Sequence, residues 1–185
     1  KNASPDAPFK VWTVGCATGE EAYSLAILID ELKSQKKDNT EVKIFATDID
    51  KEALAFASKG LYPQSIEKDV SKKRLSKYFI KEGDEYRVKD SLRQMIIFAQ
   101  HDITKHPPYH KLDLISCRNL LIYVNTDLQK RILETLHFCL KPEGYLFMGP
   151  SESIGKLEES FQETAKQSKI YKNTKPAKKL QYLTY

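Results

Sequence analysis

Short apolar runs of strand length alternate with segments of helical period along most of this 185-residue chain, and that alternation restricts the fold more than any single motif. Residues 10–15 (KVWTVG) read as a buried strand, and from Thr18 a helix follows with Leu25, Leu28, Ile29 and Leu32 on one face. Residues 42–47 form a second apolar strand that stops at Asp48. KEALAFASKG is then a short helix closed by Gly60, a residue type that ends helices in a left-handed turn. The order β-α-β-α implies a parallel sheet with right-handed crossovers, and ligands collect at the carboxyl ends of such strands. Residues 95–99 and 112–116 continue the sheet, and residues 126–140 give a helix with Leu128, Ile132, Leu136 and Leu140 on one face. The turn KPEG leads into the strand YLFMG, LEESFQETA is expected as a helix, and residues 169–172 are expected as a last edge strand.

Residues 61–94 interrupt the alternation with a basic helical piece, SKKRLSKYF, and a hairpin in which KYFIK and EYRVK flank the turn EGD. They read as an inserted antiparallel β-subdomain. Beyond residue 172 the composition turns to Lys, Pro and Thr, so residues 1–172 are expected as one domain and 173–185 as a linker to further chain. No window approaches the ~18 consecutive apolar residues of a membrane span, and KNASPDAPFK lacks the apolar stretch of a signal peptide. A cytoplasmic location with no membrane insertion is expected. Cys16, Cys117 and Cys139 are an odd number at no metal-like or redox-like spacing, which reads as buried reduced thiols. The net charge of +5 is concentrated at Lys68, Lys72, Lys73, Arg74 and Lys77 and in the tail over residues 166–179, which suits either solvated helix faces or an acidic partner.

The chemistry centres on VWTVGCATGEEAYSLAI, residues 11–27, where a strand breaks at two glycines and opens a helix with two adjacent glutamates. A glycine-rich turn of this kind brings backbone close to a nucleotide, and free helix N–H groups there favour an anion. A phosphate would also want cations, yet the turn supplies Glu20 and Glu21 and lacks the Lys-Ser/Thr ending of a phosphate loop. Partly desolvated carboxylates would repel a pyrophosphate by several kcal/mol. The ligand should therefore be a nucleoside that carries positive charge and no phosphate, which S-adenosylmethionine satisfies. Asp48, closing the second strand, can accept hydrogen bonds from both ribose hydroxyls, a feature that would equally suit NAD. The glutamates separate the two cofactors. Thr18 and Glu21 also match the capping box S/T-x-x-E, which needs no ligand.

At these residues the chain resembles the CheR-type chemotaxis receptor methyltransferases, protein-glutamate O-methyltransferases dependent on S-adenosylmethionine. The matching segments are CATGEEAYSLAI, FATDIDKEAL with ASKGLYP, LISCRNLLIYV and LKPEGYLFMGPSESI, which run from about residue 10 to about residue 172. LISCRNLLIY and GPSESIGKL most resemble the methyltransferase part of fused methylesterase-methyltransferase proteins. The resemblance implies a three-layer, Rossmann-like α/β fold with the small antiparallel β-subdomain at residues 61–94. It implies cofactor contacts from Cys16, Ala17, Thr18, Glu20 and Asp48, from His101 and Asp102 after the third core strand, and from Arg118 and Asn119 after the fourth. At His101-Asp102 family members commonly have Asn-Leu. Arg118 and Tyr123 are implied in catalysis, Tyr123 near the transferring methyl group. The implied substrate is a helical chemoreceptor-like protein. The family's N-terminal helical domain has no counterpart in this sequence, so covalently linked domains are expected on both sides. The short EGD loop leaves open whether the subdomain grips a receptor tether.

Methyl transfer to an ionised carboxylate is an in-line displacement that needs no general base, so the absence of a Ser-His-Asp or metal constellation is no objection. HPPY, residues 106–109, resembles the signature of amine methyltransferases, but it precedes the strand LDLIS where that signature follows one. His101, His106 and His110 lack an acidic or Cys partner for a metal, and none is expected. Two other classes remain as alternatives: a non-catalytic module that senses S-adenosylmethionine or docks partners, and a nucleic-acid methyltransferase. Only the basic tail supports the second, so no nucleic-acid partner is expected.

Overall fold

The computed structural model describes residues 7–177. In chain order the elements are β1 (Phe9–Val14), α1 (Glu20–Lys36), β2 (Val42–Asp48), α2 (Lys51–Lys59), β3 (Leu61–Pro63), α3 (Lys72–Tyr78), β4 (Phe79–Glu82), β5 (Glu85–Val88), α4 (Asp90–Arg93), β6 (Ile96–Gln100), β7 (Leu112–Cys117), α5 (Thr126–Cys139), β8 (Leu140–Met148), β9 (Phe161–Glu163) and β10 (Ile170–Asn173). They fall into two compact units, the first built from residues 16–100 and the second from residues 9–15 with residues 101 onward. Most of the linker expected over 173–185, including Lys179, lies outside the described residues.

In the first unit β2 and β6 run parallel, in register from Ile44↔Ile96 to Asp48↔Gln100. Helix α1 buries Ala22, Tyr23, Ala26 and Ile27, which corrects the face expected from sequence: Leu28 and Leu32 are 45% and 53% exposed. Apolar side chains surround most of this helix, so periodicity selects no face. Close packing then favours the side carrying the two alanines. Asp50 caps α2 by accepting the N–H groups of Glu52 at 2.8 Å and Ala53 at 3.2 Å, and Gly60 ends it in a left-handed conformation.

The inserted segment forms its own antiparallel sheet in the order β3-β5-β4, with Tyr62 opposite Tyr86 and Phe79 opposite Val88. Ser71 caps α3, and α3 is fastened to α1 by ion pairs. The Arg74 guanidinium donates twice to Glu31, at 2.9 and 2.8 Å, while Lys77 and the Tyr78 hydroxyl both donate to Asp30, at 3.0 and 2.8 Å. Two of the five basic residues read as solvated faces or a partner surface, Arg74 and Lys77, are thus paired with carboxylates of α1. Lys68, Lys72 and Lys73 are exposed.

In the second unit β1 pairs parallel with β7 and β7 with β8, while β10 runs antiparallel to β8 and β9 antiparallel to β10. Trp12 is fully buried, with its ring edge-on to His101 and Tyr109 at centroid separations of 5.4 and 5.1 Å. Asn125 caps α5 through the Leu128 N–H at 2.9 Å, and the helix buries Ile132, Leu133 and Leu136.

Three expectations change here. KPEG is an excursion inside β8, which pairs with β7 on both sides of it, at Leu140↔Leu112 and Tyr145↔Leu114; Glu143 has φ +66°. LEESFQETA is not an α-helix but a 3₁₀ turn, Gly155–Ser160, that gives way to β9. Pairing of β9 with β10 and burial of Phe161 prevail over local helix preference. Strand β10 is interior, between β8 and β9, so the edge belongs to β9.

Candidate active site

The turn that links β1 to α1 is built by its own backbone and by the end of β2. Cys16 donates its N–H to the Thr47 carbonyl at 2.9 Å, and Gly19 donates to the Cys16 carbonyl at 2.9 Å. Ala17 and Gly19 both have positive φ, +45° and +91°. A Cβ at Gly19 would stand 2.8 Å from the Ala57 Cβ and 3.1 Å from the Tyr62 hydroxyl, so conformation and space both require glycine. The Tyr62 hydroxyl donates to the Thr18 carbonyl at 2.7 Å, a part-buried contact reaching the turn from β3 of the inserted sheet.

Asp48 terminates β2 with its carboxylate against this turn. Its Oδ2 accepts the Ala17 N–H at 2.8 Å and its Oδ1 accepts the Asp50 N–H at 3.0 Å. A carboxylate oxygen can accept two hydrogen bonds, so each retains an acceptor position for a vicinal diol. The capping box does not form. The residue that caps α1 is Gly19, with no side-chain bond, and the Thr18 hydroxyl instead contacts both oxygens of exposed Glu20, at 2.8 and 2.7 Å. The turn is electronegative. The buried Cys16 thiol is pushed up to about 12, first by desolvation and then by the charges of Asp48, Glu20 and Glu21. At neutral pH it is a protonated packing group, and the surrounding field favours a cationic ligand.

In the second unit the segment after β6 is shaped by its own side chains. His101 Nε2 donates to the Pro107 carbonyl at 2.9 Å, leaving Nδ1 buried with no hydrogen-bond partner among the described residues. Burial, the largest influence, lowers the pKa of this ring and keeps it neutral. Asp102 Oδ1 accepts the Thr104 N–H at 2.9 Å and the Thr104 hydroxyl at 2.6 Å, and Oδ2 lies 3.3 Å from Lys105. HPPY takes part in the same turn, with His106 Nδ1 accepting the Asp102 N–H at 3.0 Å. Among the described residues no group of three His, Cys, Asp or Glu is arranged to hold a metal ion.

The loop after β7 carries the other residues singled out from sequence. Arg118 is half-buried, its guanidinium 4.5 Å from the centroid of the Phe147 ring. Asn119 is exposed in the left-handed region at φ +57°, and Tyr123, at the end of the 3₁₀ turn Leu121–Tyr123, is 81% exposed. Gln129 steadies this turn by donating to the Leu121 and Val124 carbonyls at 2.9 and 3.0 Å. Two residues escaped the sequence reading. Tyr62 lies in ASKGLYP and Glu152 in GPSES, both inside quoted segments, but their roles depend on partners 44 and more than 30 residues away.

Residues 1–170 match the family described as CheR methyltransferase, SAM binding domain. The chain belongs to the CheR methyltransferase family. It is 34% identical over 174 residues to an uncharacterized 104.1 kDa protein of Rhodobacter capsulatus, covering 94% of this chain and 18% of that protein. It is 33% identical over 154 residues to a chemotaxis protein methyltransferase of Borreliella burgdorferi, covering 82% of this chain and 54% of that one. The CheR chain described here therefore spans about half or less of the length of these curated relatives. The crystal structure of a TehB-like SAM-dependent methyltransferase from Corynebacterium glutamicum superposes with a TM-score of 0.50 at 13% identity, covering 93% of this chain and 83% of that chain. The fold is the Rossmann-like α/β S-adenosylmethionine-dependent methyltransferase fold with a small antiparallel β-subdomain. Among the described residues of this CheR domain no helix is long and apolar enough to cross a membrane.

Proposed function

We propose that this CheR domain transfers the methyl group of S-adenosylmethionine to glutamate side chains of a helical, chemoreceptor-type protein in the cytoplasm. The products are a glutamate methyl ester and S-adenosylhomocysteine. The observation that carries the reading is Asp48: each of its oxygens is pinned by one backbone N–H and keeps an acceptor position for a ribose hydroxyl, beside a turn whose field favours a cation. When bound, the cofactor supplies an electrophilic methyl group on a sulfonium. Glu20 adds negative charge toward it, Ala17 and Thr18 bring backbone to the nucleoside, and Asn119 orients its amino-acid end. Arg118 is assigned to orient the incoming carboxylate, and Tyr123, by its match to the family pattern, to the neighbourhood of the transferring methyl group. That carboxylate is already ionised, so the protein's contribution is alignment and exclusion of water, which can be worth roughly 7–11 kcal/mol.

The names of chemotaxis methyltransferase relatives support the substrate class, and the exposed lysines 68, 72 and 73 suit an acidic receptor helix. We further assign residues 1–172 to the methyltransferase domain together with Asn173, which ends β10 and corrects the expected boundary by one residue, 61–94 to its insertion, and the residues beyond Asn173 to a linker within a longer polypeptide, which the large Rhodobacter capsulatus relative supports. The test is calorimetric titration with S-adenosylhomocysteine, with Asp48→Ala as control. Micromolar binding abolished in the variant is expected, followed by base-labile methyl esters on chemoreceptor-bearing membranes. Absence of binding by the full-length protein would defeat the reading in favour of a docking module.

A further inference from the structure

Glu152 is a buried acid that the proposed chemistry does not use. It is 4% exposed and lies just past β8. Its Oε1 accepts the Leu121 N–H at 2.8 Å, and its Oε2 accepts the N–H groups of Asn119 at 3.0 Å and Gly149 at 2.8 Å. Its own N–H donates to the Gly149 carbonyl at 3.1 Å, and Lys169 Nζ donates to its main-chain carbonyl at 2.8 Å. The residue is therefore anchored to the end of β8 and to the approach of β10. From that anchor it gathers two alternate amides of the loop that carries Arg118 and Asn119.

The arrangement leaves little latitude. A Cβ at Gly149 would stand 2.6 Å from Glu152 Oε2 and 2.8 Å from Asn119 Oδ1, so the carboxylate and the loop close on that position as far as glycine permits. Asn119 is held in the left-handed region, which asparagine tolerates better than most residues and in which surrounding bonds keep it. Three N–H donors converge on two oxygens, a task for an acceptor-only group. An amide would turn its NH₂ toward at least one of them and leave donors facing each other. An apolar side chain would leave all three unmet, those of Leu121 and Gly149 in buried surroundings.

We propose that Glu152 is a positioning residue for methyl transfer, its carboxylate fixing the 118–121 loop so that Arg118 and Asn119 are presented in the geometry that the cofactor and the substrate carboxylate require. This rests on the assignment of Arg118 and Asn119 in the proposed function. Displacement of such groups by about 1 Å can cost on the order of 100-fold in rate.

The test compares the full-length protein with its Glu152→Gln variant in calorimetric titrations with S-adenosylhomocysteine that return both affinity and sites per chain. Kd is expected to rise about tenfold with the number of sites unchanged. A carboxylate that merely helps folding would lower the number of sites at the wild-type Kd, and that result would overturn the proposal. Should the Gln variant fail to fold, Lys169→Met removes only the tie to the Glu152 carbonyl, and about a threefold rise in Kd is expected. Wild-type affinity there overturns the proposal equally. If the wild-type protein itself does not bind, the cofactor reading fails and this inference fails with it. Wild-type binding with unaltered variants defeats this inference alone.

Discussion

The turn at residues 16–20 and the loop at residues 118–121 are each secured by a carboxylate 31 to 33 residues further along the chain, but the first is also fixed by a glycine of its own, whereas the second depends on that carboxylate for two of its N–H groups. In the first, positive φ at Ala17 and Gly19 turns the chain and Asp48 secures it. In the second, positive φ at Asn119 is held by Glu152. A turn fixed by its own glycine should break most severely there and respond less to the side chains that brace it. A remotely determined loop should respond to its anchor.

The largest effect is expected from Gly19→Ala, which combines φ +91° with a Cβ 2.8 Å from Ala57. Urea unfolding should show a loss of about 3 kcal/mol. A loss under about 1 kcal/mol would mean that the turn is not the rigid, self-shaped element described. Asp48→Ala removes the partner of the Ala17 N–H together with the proposed ribose acceptor, and should weaken S-adenosylhomocysteine binding about 100-fold. Calorimetry within threefold of wild type would contradict the assignment. Tyr62→Phe deletes only the hydroxyl that donates to Thr18 and retains the ring packing. Its effect should be smaller, a rise in Kd of about fivefold. No change would show that the turn holds itself without β3, which sharpens the contrast.

The smallest effect concerns the tie between α3 and α1. The hydrogen-bonded Arg74 guanidinium holds the Glu31 carboxyl below its ordinary 4.5. A depressed folded value means that the pair contributes fully above pH 4.5 and loses its contribution as pH falls through that lower value. The urea midpoints of wild type and Arg74→Met should therefore differ slightly at neutral pH and converge in acid. A gap that widens in acid would refute the pairing. For the same reason a charge-reversal test of the proposed partner surface belongs at Lys72 and Lys73, since Arg74→Glu would also break the pair with Glu31.

What was legible in the sequence follows the same division. The strands flanking the turn at residues 16–20, the stop of β2 at Asp48 and the end of α2 at Gly60 carry local signals: apolar runs, acidic caps, glycines. The α1 face was misread because apolar residues surround that helix. FQE was misread because Phe161, Gln162 and Glu163 take strand conformation from β10, a partner that no short window contains. Glu152 lies within GPSES, but nothing local announces that it is buried or what it holds.

Strand β9 has three residues, Phe161–Glu163, and among the described residues it is the last strand outward from β8 and β10. A long flat border would offer a row of open N–H and C=O groups to any passing chain, whereas so short a border bearing Gln162 and Glu163 offers few and adds a charge. The longer β10 has strands on both sides. On this flank the domain therefore resists growing into sheet aggregates, a safeguard supplied by a segment whose sequence reads as a helix.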